Sequence, residues 1–245
     1  MTAFVLTLCG AALACGLELL EALAIVLAVG STRRWRDALI GAAGAVVLLA
    51  VVVVAVGPLL LARLPLAPLK VVIGVALLLF GLEWLRKGVL RLAGRRSPSD
   101  SFQEYLEERE ALEGMDAPPA GQPDWPARVV AGKGVLLEGV EVVLIVAALG
   151  AGPDGLAPAL IGAGLAVLLT LAIGVVLHRP LMRLPESHLK YAVGVVLSSF
   201  GVFFLGEGLG VDWPLADAAL LYIAATLVAV SQLEIAALVR EPAAV

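Results

Sequence analysis

Seven long apolar stretches recur along the chain, at about 3–29, 38–61, 69–85, 128–150, 157–177, 189–206 and 215–239, separated by polar connectors. Each approaches the roughly 20 residues that about 30 Å of hydrocarbon demands of a helix. None shows the period-two alternation of a half-buried strand. The pattern predicts an all-α integral membrane protein with seven transmembrane helices. The one long polar interval, 88–127, holds Phe102, Tyr105, Leu106 and Leu112 at the spacing of a short amphipathic helix, followed by a Pro/Gly-rich linker. A helix lying on the surface with its acids in solvent is expected there. Glu104, Glu107, Glu108 and Glu110 match neither a calcium loop nor a zinc spacing.

Composition agrees with lipid as the solvent: 61% of the 245 residues are hydrophobic, 16% charged and 5% aromatic, and the mean hydropathy is +1.01. A soluble core cannot absorb that much apolar surface. The net charge of -4 comes largely from the connector between Asp100 and Asp124 and carries no signature of nucleic-acid binding. Cys9 and Cys15 share one span and different faces, which suits packing and not a disulfide or a metal. Ala12-Leu13-Ala14-Cys15 faintly resembles a lipoprotein cleavage box, but no basic residue precedes it and the apolar run continues, so the first span is expected to be retained.

The basic residues orient the chain. With the N-terminus outside, only Arg63 and Lys70 of the 17 Lys and Arg fall in outward loops. The positive-inside rule therefore puts the N-terminus out and the C-terminus in the cytoplasm of a multi-pass protein of the cell membrane.

The chain also repeats itself. At an offset of 120 residues, Leu61-Ala-Arg-Leu-Pro-Leu-Ala-Pro-Leu-Lys70 aligns with Leu181-Met-Arg-Leu-Pro-Glu-Ser-His-Leu-Lys190. The same offset puts Gly74, Phe80 and Gly81 on Gly194, Phe200 and Gly201, Glu18 on Glu138, Glu21 on Glu141, and Ile25-Val26 on Ile145-Val146. Three spans per copy is an odd number, so the second copy enters the membrane from the opposite face. The expected layout is a first three-helix repeat (1–87), a cytoplasmic amphipathic helix and linker (88–127), a second, inverted three-helix repeat (128–207), and a seventh helix with its tail (208–245). Inverted repeats are typical of secondary transporters, whose substrate site lies near the midplane between them.

Glu18 and Glu21 are three residues apart on one helix face, close to the centre of the first span, and Glu138 and Glu141 repeat that geometry in the fourth. An acid at mid-bilayer costs roughly 2.5–3.5 kcal/mol on insertion scales, so four approach about 10 kcal/mol before any partner is found. No basic residue of the same spans is near them, Lys133 lying about 8 Å of helix rise from Glu138. The expected partner is a cation from outside the chain, competing with protons for one cluster. All-oxygen ligands suit hard cations such as Mg²⁺, Ca²⁺, Mn²⁺ or Fe³⁺ and not Cu(I) or a thiolate-type zinc site. The opposing expectation is that the carboxyls are protonated and merely hydrogen-bond the repeats together.

Glu207, in Gly206-Glu207-Gly208 at the outer end of the sixth span, joins the candidate metal ligands as an entry site. Glu83 sits beside Arg86 and Lys87, where an interfacial ion pair is expected. His178 and His188 fall in a cytoplasmic connector among basic residues, Ser198, Ser199 and Thr170 suit hydrogen bonds between helices, and Gly41, Gly44, Gly162 and Gly164 suit close helix approach. No phosphate-binding loop is present, nor any Ser/His or His-Glu-x-x-His arrangement, so no enzymatic activity and no permanently bound cofactor are expected.

Leu137-Glu138-Gly139-Val140-Glu141 resembles the R-E-G-L-E signature of the oxidase-dependent iron permeases and their bacterial ferrous-iron-uptake relatives, and Glu18-Leu19-Leu20-Glu21-Ala22 is similar to a degraded copy of it. That family has seven spans, an outside N-terminus and its signature in the first and fourth helices. The resemblance implies iron as the transported cation, Glu18, Glu21, Glu138 and Glu141 as its ligands, and an oxidase or peroxidase as partner. Leu17 and Leu137 stand where the signature has Arg, and Leu19 where it has Gly. A second resemblance is to the acidic-motif manganese and calcium exchangers, also built from inverted three-helix repeats, though the Gly-Asp-Lys/Arg that continues their motif is missing here. The expected functions are thus, in order, a secondary transporter of a hard cation with iron favoured, a proton-coupled Mn²⁺/Ca²⁺ exchanger, and a membrane scaffold or accessory subunit whose glutamates are structural.

Overall fold

The structure, a computed structural model, describes residues 2–63, 66–96, 101–116, 118–119, 122–151, 154–176 and 186–240. Every regular element among them is helical: α1 (Thr2–Thr32), α2 (Trp35–Arg63), α3 (Leu66–Leu92), α4 (Ser101–Glu113), α5 (Trp125–Gly150), α6 (Leu156–Val176), α7 (Glu186–Gly208) and α8 (Ala219–Arg240), the last preceded by a single 3₁₀ turn. Six of them (α1, α2, α3, α6, α7 and α8) are long and apolar enough to cross a membrane. The remaining long helix, α5, matches them in length but carries Lys133, Glu138 and Glu141.

Several helices outrun their apolar stretches. α3 continues to Leu92, so Arg86 and Lys87 sit within it and pair with Glu83 one turn back at 3.0 Å and 3.6 Å. The polarity change marks where lipid ends, whereas the backbone stays helical as long as side chains can pair along it.

Packing is unequal among the spans. In their apolar windows α1 and α7 are 61% buried, against 11% for α2 and for the segment containing α8. The buried pair forms the core, and α2 and α8 present Val47, Val51, Val54, Val230 and Leu233 outward, as lipid-facing helices do. α1 lies along α6, α2 along α5, and α3 against α7 over most of its length.

Glycine makes the last contact possible. A Cβ on Gly81 would strike the backbone N of Ser198, and one on Gly201 would come within 2.7 Å of the N of Leu78. Gly74 stands against Leu205 and Gly194 against Leu85 in the same way. These four contacts put α3 and α7 antiparallel with backbones nearly touching, the small-residue packing that replaces hydrophobic drive inside lipid. Of the glycines expected to permit close approach, Gly41 faces the Arg128 carbonyl and Gly162 the Leu8 carbonyl, but nothing lies within 4 Å of a Cβ on Gly44 or Gly164. Those two are on the outward faces of α2 and α6, so the sequence expectation is corrected for them.

The polar segment is anchored and not merely surface-lying. α4 packs on α1, Leu112 is buried with Ile25, Val29, Ala38, Ala127 and Ala131, and Glu107 and Glu110 remain exposed. Phe102, Glu104 and Tyr105 have side chains outside the described set. Arg33 organises the junction: its Nε donates to Asp124 Oδ2 at 2.8 Å, and its terminal nitrogens donate to the Met115 and Asp116 carbonyls at 2.9 Å. Asp124 in turn caps α5, accepting from the Ala127 N–H at 3.2 Å. Burial pushes the Asp124 carboxyl up, but the Arg33 hydrogen bonds, the capping N–H and the Arg33 charge outweigh it and hold the group below the usual carboxylate range. Arg128, one turn into α5, donates to Asp37 of α2 at 2.7 Å, so two arginine–aspartate pairs fasten one end of α5 to the α1–α2 corner.

Candidate carboxylate site

The register of α1 against α5 decides what the four glutamates can do together. A Cβ on Gly134 would meet Ile25, and one on Gly10 would come within 3.8 Å of Leu149, so the two helices run antiparallel. That register brings Glu18 level with Glu141 and Glu21 level with Glu138. One carboxylate oxygen each from Glu18, Glu21 and Glu138 lie within 4.8 Å of one another. The structure thus brings three of the four expected carboxylates together from two helices, with Glu141 at the level of Glu18. Gly139, between the α5 glutamates, lets Leu49 of α2 close over the helix where a side chain would obstruct it.

The cluster is enclosed on the α1 side. Glu18 is 1% exposed, and its Oε1 is buried without a hydrogen-bond donor. Leu17 is packed in the core while Leu137 is 54% exposed, so the residues preceding the first glutamate of each pair occupy unlike surroundings despite their matching place in sequence.

Lys190 corrects the expectation that the partner of the glutamates comes only from outside the chain. It belongs to α7, and its Nζ lies 2.6 Å from Glu21 Oε1, with the lysine side chain 3% exposed. The ammonium also sits 5.7 Å from the centre of the Trp84 ring on α3, a cation–π contact in a dry setting. The helices that carry the glutamates do not reveal this partner, because Lys190 stands on a third helix. The usable signal was that both copies of the repeated string end on lysine, Lys70 and Lys190.

Glu207 stands apart. Lys70 Nζ holds its Oε2 at 3.0 Å, and among the described residues it is not within the carboxylate cluster. His188 is exposed and His178 lies outside the described residues. Ser199 donates at 2.6 Å to the Val195 carbonyl of its own helix and not to a neighbouring one, whereas Tyr191 and Ser231 hydroxyls, 2.7 Å apart, do join α7 to α8.

Chemically, the site offers hard oxygen ligands from two helices, one of them already matched by a tethered ammonium. A buried acceptor with no donor and several carboxylates within a few ångströms favour capture of a cation or of protons. No family model, curated protein sequence or solved structure matches the chain.

Proposed function

We propose that this protein is a secondary transporter that moves a hard metal cation through the site formed by Glu18, Glu21, Glu138 and Glu141. The observation that carries the reading is the convergence of three carboxylates within 4.8 Å in the interior of an apolar helical bundle. One lysine against four carboxylates leaves the cluster short of positive charge, which a multivalent ion supplies. The antiparallel α1–α5 and α3–α7 registers, together with the 120-residue offset, support an inverted pair of three-helix repeats with α5 as the remaining span and α8 as the seventh. That architecture underlies alternating access. Iron is the favoured cargo through the likeness of the Glu138–Glu141 segment to the iron permeases, with an oxidase or peroxidase partner on the same ground, and Mn²⁺ or Ca²⁺ exchanged for protons is the alternative.

One observation favours a purely structural part: Lys190 already satisfies Glu21 from within the chain. Reconstitution separates the two. Proteoliposomes are expected to take up at least one of Fe²⁺, Fe³⁺, Mn²⁺ and Ca²⁺ faster than protein-free vesicles, and no uptake of any of them leaves only the scaffold reading. In intact cells, with Cys9 and Cys15 replaced by Ala, Asp154→Cys should react with an impermeant maleimide and Ser187→Cys only after permeabilisation. The reverse pattern would invert the orientation inferred from the basic residues.

A further inference from the structure

Lys70 and Lys190 occupy the same place in the two repeats, as do Glu21 and Glu141, yet their pairings differ. Lys190 reaches across from α7 to Glu21 on α1, whereas Lys70 on α3 does not make the corresponding bond to Glu141 on α5 and is held by Glu207 on α7. The helix packing shares this asymmetry. α7 lies more extensively against α1 than α3 does against α5, although the glycine contacts between α3 and α7 themselves are matched one for one across the repeat. The central seam thus obeys the repeat while the lysine bridges break it.

We propose that Lys190 is a resident counter-ion that closes its end of the bundle on Glu21, and that Lys70 serves Glu141 in the same way in the oppositely facing conformation. The inference rests on the transport reading and adds to it the residues that alternate. In the arrangement seen here the Lys190 end is shut by a nearly dry ion pair braced on Trp84. At the other end Lys70 is parked on Glu207, in a bridge whose two side chains are 24% and 27% exposed, which leaves Glu141 to the site. Rocking the repeats frees Lys190 and delivers Lys70 from Glu207 to Glu141. An entering cation competes with the bound lysine for the same carboxylates, so cargo binding and the choice of open end are linked.

Two measurements on the full-length protein in nanodiscs test this. Mn²⁺ binding followed by electron paramagnetic resonance reads the site, and distances between spin labels, measured without metal, read the two ends. Labels at Ser31 and His188 report the Lys190 end, and labels at Val72 and Asp154 report the Lys70 end. Lys190→Gln should lengthen the first distance, shorten the second and tighten Mn²⁺ binding by about tenfold or more, because a competing positive charge has gone. Adding Lys70→Gln should reverse the distance changes, since the opposite arrangement loses its own bridge. If Lys190→Gln does not fold, Glu21→Gln removes the same bridge from its other side and should move both distances in the same directions. Mn²⁺ binding by the parent chain with both distances unmoved by loss of the bridge overturns the inference and leaves the transport reading standing. Failure of the parent chain to bind Mn²⁺, iron or Ca²⁺ overturns both.

Discussion

Replacing Glu138 by Gln is expected to cut cation uptake by about a hundredfold or more while the protein still inserts and folds. Gln keeps the shape and much of the hydrogen bonding of Glu but removes one negative charge from a cluster whose members lie within 4.8 Å of one another. Losing one partner of a buried charge pair is worth roughly 3–5 kcal/mol, and each 1.4 kcal/mol is a factor of ten. Glu18→Gln and Glu141→Gln should behave alike, being brought to the same level by the α1–α5 register. Glu21→Gln differs, because it also strands Lys190, which is 3% exposed and ion-paired with Glu21 at 2.6 Å. It should lower thermal stability in addition to uptake. If the carboxyls are protonated donors that only join the helices, Gln is an adequate substitute. Uptake at the parent rate in all four folded variants would then assign the glutamates to packing.

The largest effect on stability is expected at the α3–α7 seam. Gly81→Leu places a side chain against the Ser198 backbone, and Gly201→Leu places one within 2.7 Å of the Leu78 backbone. Backbone cannot rotate aside as a side chain does, so the helices must separate. The loss should reach or exceed the upper end of the roughly 1–3 kcal/mol typical of overpacking. Gly44→Ala and Gly164→Ala are the matched controls, since nothing lies within 4 Å of the added carbon. These should be neutral, or stabilising by about 0.5–1 kcal/mol through helix propensity. Thermal melts in detergent followed by size-exclusion chromatography would read all four. Equal tolerance at Gly81 and Gly44 would show that the seam is not the tight contact described.

The matched seam also bears on how the chain is built. Gly74 meets Leu205 and Gly194 meets Leu85, and Gly81 meets Ser198 as Gly201 meets Leu78. Each pair maps onto the other under the same 120-residue offset that relates the sequences. The α1–α6 and α2–α5 contacts correspond less strictly: Gly162 meets the Leu8 carbonyl and Gly41 the Arg128 carbonyl, and Leu8 and Arg128 match under the offset while the two glycines miss it by one residue. Two similar halves that exchange partners in this way bury their small residues against each other and leave α8 on the outside of the seam. Tyr191 and Ser231 tie it there, and Trp213 stacks on Phe203 just before it begins.

What the sequence determined by itself was the helical class, the apolar stretches and the pairing of glutamates. Each of these follows from local periodicity or from the cost of an ionised group in lipid, which a string of residues carries without reference to its neighbours in space. Glu18 and Glu21 share a helix face whatever the bundle does, and so do Glu138 and Glu141. Only the tertiary structure decided that the two pairs meet, because that depends on the antiparallel register of α1 against α5, fixed by contacts such as Gly134 against Ile25. It alone separated Gly41 and Gly162, which touch a neighbouring carbonyl, from Gly44 and Gly164, which touch nothing, for residues of identical type one turn apart or less. It alone joined Lys190 to Glu21 and Lys70 to Glu207, since an ion pair between distant segments is set by which helices lie side by side, and sequence distance says nothing of that.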